Sequence, residues 1–409
     1  MATHTIRKVS CEGIGYSVVG LNDVRHVFAA AVPRGGRTLR EQAQDALRTI
    51  EAVVHEEGAR GDIVHQAVFL ADLAQREECR RIMREFYGRE LPATSYIPQP
   101  PCAGKLLAIE AMGVGQGQGE VRIERVSEQV VLSRHHGITW AHCAHVLPQS
   151  HADGLYGGAL DCFEQIRSLL GGVNIRFDQV IRTWLYLGGI VEGEGPAQRY
   201  RELNRARAHF YHNLPFLAGR LPRDRRRPAY PASTGIGTEG HGLMMSAIAL
   251  ATEREDIIAV PLENPRQTAA YDYAAHYSPQ SPKFSRAMAL SCGTYSTIFL
   301  SGTASITDSE TQHPDDAVAQ THETLDNITS LISEENLARH GLPGLGTTVE
   351  GLGLVRVYVK RQADYARVRA VCEQRLGELP VIYATADICR PELLVEIEGI
   401  AFSRKATAG

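Results

Sequence analysis

Leu393–Phe402 reads LLVEIEGIAF, and two other stretches repeat its pattern: LLAIEAMGV at Leu106–Val114 and LMMSAIAL at Leu243–Leu250. Each is an apolar run of strand length. Superposed, they place Glu110, Ser246 and Glu398 at one position and Ala108, Met244 and Glu396 at another. Working back from each closing strand, one order recurs three times: strand, long amphipathic helix, strand, shorter helix, closing strand. The opening strands are Arg25–Pro33, Gly137–Val146 and Ser296–Ile306, rich in β-branched or aromatic residues. Helices begin near Thr38, Tyr156 and Asp316, with apolar residues at three- and four-residue spacing, and the second strands are Ile63–Leu70, Val180–Leu187 and Leu354–Val359. Shorter charged helices follow, such as Ala197–Tyr211 and Asp364–Leu376.

These copies predict an α/β (α+β) protein of three tandem units spanning 1–119, 120–260 and 261–409. The linkers are expected at Val114–Gly119 and in the Pro-rich stretch from Val260 to Pro282, with surface insertions at Arg220–Pro228 and Gly341–Gly353. Three unrelated α/β domains would share such elements but would not bring their closing strands into register. A sheet with helices on one face must bury the other, so the units are expected around a pseudo-threefold axis, sheets inward, as an intrachain pseudo-trimer. Clefts then lie between neighbours. With its interfaces met inside one chain, the protein is expected to be a monomer.

Composition excludes several classes. A net charge of −4 over 409 residues argues against a nucleic-acid binder. Met1–Glu12 has no apolar core of a secretion signal and no long uncharged apolar run follows, which predicts a cytoplasmic protein with no membrane contact. The eight cysteines form no C-x-x-C pair, and the histidines (His135, His136, His142, His145, His151, His209 and His212) show no ligand spacing, so no metal and no disulfide frame is expected. Ser233 and Ser301 have glycine neighbours but no strand-G-x-S-x-G-helix elbow.

Strand alternation puts Glu396 and Glu398 on one face and Val395 and Ile397 on the other. Glu396 has Ala108 and Met244 as its counterparts, so the scaffold does not need a carboxyl there; a solvated or salt-bridged strand glutamate is the alternative. Arg356 lies in an apolar strand on the face of Leu354 and Tyr358, either to grip an anion or as an edge arginine facing water, and Arg182 in VIRTWLY has the same status. Tyr271, Tyr277 and Phe284 could wall a pocket or staple the core. Gly302 and Thr303 interrupt an apolar strand, marking a ligand's close approach or a bulge.

The repeat resembles the RidA (YjgF-like) family, trimers of a chorismate-mutase-like fold with ligand sites at subunit interfaces. That family grips its substrate with an arginine in a Pro-Ala-Arg-Ser-like segment. The matching segments here, Pro92–Ser95, Pro231–Thr234 and Leu379–Ile382, lack it, which argues against imine deamination. From about residue 180 onward the chain resembles the chorismatase family more narrowly. The resemblance rests on RTWLY (Arg182–Tyr186), Arg199-Tyr200 with Asn204 and Arg207, PASTGIG (Pro231–Gly237) and PLENPRQTAAYDY (Pro261–Tyr273). It continues through YSPQSPKFSR (Tyr277–Arg286), SGTASI (Ser301–Ile306), Glu310-Thr311 with His313-Pro314, Arg356–Tyr358 and ADICRPELLVEIE (Ala386–Glu398). The first unit matches less closely.

The resemblance implies an enzyme that releases pyruvate from chorismate without a cofactor, with Glu396 as the acid that protonates the enolpyruvyl methylene. Such an acid needs a raised pKa, which a dry interface pocket supplies. The substrate is a dicarboxylate, so Arg356, Arg182, Tyr358, Gly302, Thr303, Tyr271, Tyr277 and Phe284 are the expected binding residues. The family holds hydrolases, which make a dihydroxycyclohexadiene carboxylate, and synthases, which make 3-hydroxybenzoate; Cys389 and the small Gly302 match the synthase branch. The alternative for Cys389 is a small buried hydrophobe. A non-catalytic RidA-like ligand-binding protein is the rival, and Glu396 argues against it.

Overall fold

Every apolar run quoted above forms a strand, and every long amphipathic stretch a helix, in the computed structural model, which describes residues 6–21, 24–57, 62–116, 120–149, 154–195, 197–222, 227–273 and 280–405. The first unit runs β1 (Ile6–Cys11), β2 (Ile14–Leu21), β3 (Val24–Ala31), α1 (Leu39–Glu56), β4 (Ile63–Leu70), α2 (Arg76–Tyr87), β5 (Ala93–Ile97) and β6 (Leu107–Gln116). The second has β7 (Arg122–Arg125), β8 (Val130–His135), β9 (Ile138–Val146), α3 (Gly154–Gly171), β10 (Val180–Gly188), a hairpin of β11 (Gly193–Glu194) and β12 (Ala197–Gln198), α4 (Arg199–Phe210), β13 (Ala232–Thr238) and β14 (Leu243–Thr252). The third has β15 (Ile257–Leu262), β16 (Ala287–Cys292), β17 (Tyr295–Ala304), a hairpin of β18 (Ile306–Thr307) and β19 (Glu310–Thr311), α5 (Ala317–Ile332), α6 (Glu334–Arg339), β20 (Leu352–Val359), α7 (Tyr365–Leu376), β21 (Val381–Thr385) and β22 (Val395–Arg404).

The three six-stranded sheets share one topology, β1-β2-β3-β6-β4-β5, β7-β8-β9-β14-β10-β13 and β15-β16-β17-β22-β20-β21. In each, the closing strand lies in the middle and the last pair (β4 with β5, β10 with β13, β20 with β21) is parallel. Each second strand also carries one extra residue at the same place, between Ile63 and His65, Val180 and Arg182, and Leu352 and Leu354. A repeated bulge fixes the register unambiguously. Glu110 then pairs with Ala67, Ser246 with Trp184 and Glu398 with Arg356, as the alignment of closing strands requires.

Two features correct the sequence reading. Each unit opens with two further strands that it omitted. The third unit also starts before residue 261: Ile257–Leu262 crosses the expected boundary and pairs along its length with Ala287–Cys292, so the supposed linker begins as a strand. Likewise Val114 to Gln116, expected in the first linker, still belong to β6.

Helix ends follow local chemistry. Thr38 and Glu41 form a capping box at α1, and the Asp316 carboxylate accepts from the amides of Val318 and Ala319 at α5. The first sheet buries its outer face under α1 and α2, and the third under α5, α6 and α7. The inner faces meet one another: Phe28 and Phe69 of the first unit, Leu132 and Ile248 of the second, and Phe299, Ile400 and Phe402 of the third share one core. Hydrophobic burial therefore closes the pseudo-trimer, at roughly 25 cal/mol per Å² of apolar surface removed from water.

Candidate active site

The axis holds a cluster of buried charges. Arg356 donates through Nε and Nη2 to Glu110 of the first unit at 2.7 and 2.6 Å, and through Nη1 to Glu398 at 3.0 Å and the Tyr186 hydroxyl at 2.9 Å. Glu398 also accepts from Tyr358 at 2.8 Å, from the Trp184 indole at 3.0 Å, from Arg182 and from Thr234. Two arginines against two carboxylates leave the cluster neutral, which is what allows it to be buried. Burial works to raise the Glu398 carboxyl, but Arg182 and Arg356, with Thr234 and Tyr358, outweigh it and hold the group below its ordinary value. Glu398 is thus a fixed anion.

Beside this cluster, between the second and third units, lies a cleft of about 480 Å³. α4 supplies Tyr200, Arg201 and Asn204; β13 supplies Ser233 and Gly235; β17 supplies Gly302 and Ala304; the segment before β22 supplies Cys389, Arg390 and Glu392; the approach to β16 supplies Phe284 and Arg286. Glu396 forms its floor and is only 4% exposed. A side chain on Gly302 would collide with Glu396 Oε1, so the carboxyl rests on bare backbone there. Gly235 makes similar room for the Tyr200 ring, whose Cε2 would stand 2.8 Å from a Cβ.

Burial, first, and the neighbouring Glu398 anion, second, push the Glu396 carboxyl up to about 8 against the opposing Arg182 and Arg286. At neutral pH it carries its proton. Burial and then the adjacent Glu396 push the Cys389 thiol up to about 12, so Cys389 is present as a neutral thiol. Cations rim the cleft. Arg286 donates to the Thr268 carbonyl at 2.8 Å and the Tyr273 hydroxyl at 2.5 Å, while its Nε has no partner among the described residues. Arg207 backs the wall, donating to Ser233 at 3.2 Å and to Asn204. The arrangement suits an anionic substrate of modest size that receives a proton from Glu396.

The two counterpart clefts are changed at the same positions. In the second unit the bulge opposite Ser246 places His145 where Gly302 stands, and its ring packs edge-on against Tyr96 at 5.2 Å. In the first unit no bulge occurs and Ala30 pairs directly with Glu110. Neither has the acid, since Met244 and Ala108 occupy its position. Among the described residues no set of three or more His, Cys, Asp or Glu is arranged for a metal, and no helix is long and apolar enough to cross a membrane.

A family profile described as "Chorismatase FkbO/Hyg5-like, N-terminal" matches residues 117–249. A 3-hydroxybenzoate synthase of Streptomyces hygroscopicus is 34% identical over 278 residues, 64% of this chain and 76% of that protein. The chain belongs to the chorismatase family. A chorismatase of Streptomyces rapamycinicus is 34% identical over 279 residues, covering 65% of this chain and 77% of the relative. A crystal structure of a chorismatase superposes with a TM-score of 0.64 over 92% of this chain and 98% of that one, at 22% identity, and so shares the fold. The chain is accordingly an enzyme, built from three units that share one sheet topology.

Of the residues expected at the site of a chorismatase, Glu396, Cys389, Gly302 and Phe284 line the cleft. Arg356, Arg182 and Tyr358 do not; they serve the axial cluster, because their strand face points to the pseudo-threefold axis. Thr303 bonds back to the Ser301 carbonyl at 3.1 Å, and Tyr271 packs against Tyr230 at 5.6 Å. Tyr277 lies outside the described residues. The cations at the cleft are instead Arg201, Arg286 and Arg390. Arg286 and Arg390 sit inside the segments that carried the family resemblance, but in loops whose side-chain direction no periodicity reveals.

Proposed function

We propose that this protein converts chorismate to 3-hydroxybenzoate and pyruvate. The observation that carries the reading is the buried Glu396 carboxyl on the floor of an arginine-rimmed interface cleft. Glu396 delivers its proton to the terminal methylene of the enolpyruvyl ether, leaving an oxocarbenium-like cation that the new carboxylate stabilises. The ring C4 hydroxyl then attacks C3 and displaces the pyruvyl oxygen, which leaves as pyruvate; the transferred oxygen keeps its proton and its new bond to C3, its bond to C4 breaks, and loss of the C3 proton aromatises the ring to 3-hydroxybenzoate. The proton taken from Glu396 is thereby balanced by the one the ring releases, with no net water. Arg201, Arg286 and Arg390 are the donors placed to hold the two carboxylates. Gly302 and the neutral Cys389 thiol support the synthase course, since neither brings a water-ordering charged group to the cation.

The test is incubation of the purified protein with chorismate, following pyruvate by a coupled assay and the ring product by chromatography, with Glu396→Gln alongside. Pyruvate with 3-hydroxybenzoate, lost in the variant, is expected. Pyruvate with a dihydroxycyclohexadiene carboxylate would assign the hydrolase course, and no pyruvate would sink the reading.

A further inference from the structure

Glu398 does not line the cleft, yet its contact with Thr234 leads to the acid that does. The Thr234 hydroxyl donates to Glu398 and accepts from Arg182 at 2.6 Å and from the Gly302 amide at 2.9 Å. Gly302 is the residue on which the Glu396 carboxyl rests. Glu398 also stands two residues from Glu396 on the same strand face, as an anion held by Arg182 and Arg356. Arg356 is in turn held by Glu110, which belongs to the first unit and is far from the cleft in the chain.

We propose that Glu398 is a positioning residue for Glu396, through Thr234 and the Gly302 bulge and through its charge, and that Glu110 anchors it by fixing Arg356. The inference rests on Glu396 being the acid. It also gives the first unit, none of whose described residues lines the cleft, a part in the chemistry. The charged and titratable groups facing Glu396 are Glu398 on its own strand, Arg182 from β10, Arg286 from the approach to β16, Tyr200 from α4 and Cys389 from the preceding loop. Glu398 is the one anion among them that two cations keep ionised. A like charge at that position favours the protonated form of Glu396.

The titration of Glu396 is read by infrared difference spectroscopy, as the protonated-carboxyl band present in the wild type and missing from Glu396→Gln, followed against pH. This measurement needs no substrate, so it stands whether or not chorismate is turned over. Glu398→Gln is expected to move the titration down by about one pH unit or more. Arg182→Gln moves it up, and the double variant, which restores charge balance in case the single one folds poorly, returns it part-way. Thr234→Val keeps the titration in place and lowers kcat about tenfold at unchanged KM, and Thr234→Ser restores kcat. Glu110→Gln lowers kcat in the same manner. Variants that lose thermal stability with the titration of Glu396 unmoved in Glu398→Gln would make Glu398 a structural residue and overturn the proposal. Shifted titrations in a protein that releases no pyruvate would leave the positioning network standing and remove only the assigned substrate.

Discussion

At the residue scale, the proposed function turns on a carboxyl whose burial favours its protonated form. In that proposal the acid form is the active one and its pKa lies at about 8, so turnover should hold through neutrality and fall as pH rises through that value. A pH series of kcat checks this, and a fall near the ordinary carboxylate range would contradict it. Glu396→Gln should cost on the order of 10²–10⁴ in kcat. Gly302→Ala should cost a similar amount with the fold retained, since its methyl occupies the place of Glu396 Oε1. Arg286→Ala should act differently, raising KM about 10- to 100-fold, the worth of one charge-assisted hydrogen bond to a substrate carboxylate. Steady-state kinetics separate the two patterns.

At the scale of elements, the closing strands were legible in the sequence because a strand buried on both faces must be apolar throughout, and an acid in such a run stands out. Glu396 could be singled out among these acids because its counterparts, Ala108 and Met244, carry no carboxyl. The direction of the arginines could not. Arg356 and Arg182 lie on the face that meets the axis, and only the packing of three sheets decides that this face holds a neutral charge cluster and not a substrate. The opening hairpins were missed because β1, β7 and β15 are edge strands, with β1 and β7 carrying mixed polarity and little pattern. The helices serve as scaffold. Asp316→Ala should therefore lower stability by about 1 kcal/mol in a denaturant titration, through loss of the α5 cap, and leave kcat/KM unchanged.

At the scale of the molecule, the units are not separable domains. The inner faces form one core, and the Glu110–Arg356–Glu398–Arg182 cluster ties all three sheets together. Thermal unfolding should accordingly show a single transition, and calorimetry resolving three would refute this. A fragment of residues 257–409 should neither fold nor turn over substrate. It would expose Phe299, Ile400 and Phe402 and lack Tyr200, Asn204 and Ser233, which the second unit brings to the cleft.

Fusion of the three units also changes what one substitution does. In a trimer of separate identical chains, a glutamate at the position of Glu396 would be written into all three interfaces at once. Raised from 4.5 to about 8, such a group takes up a proton on folding, and at pH 7 holding it in that state opposes folding by about 3 kcal/mol. Three copies would oppose assembly of the trimer by about 10 kcal/mol in all, about 3 kcal/mol for each chain. A single chain confines the acid to one interface and leaves Met244 and Ala108 to pack the other two, so the same chemistry opposes folding by about a third as much.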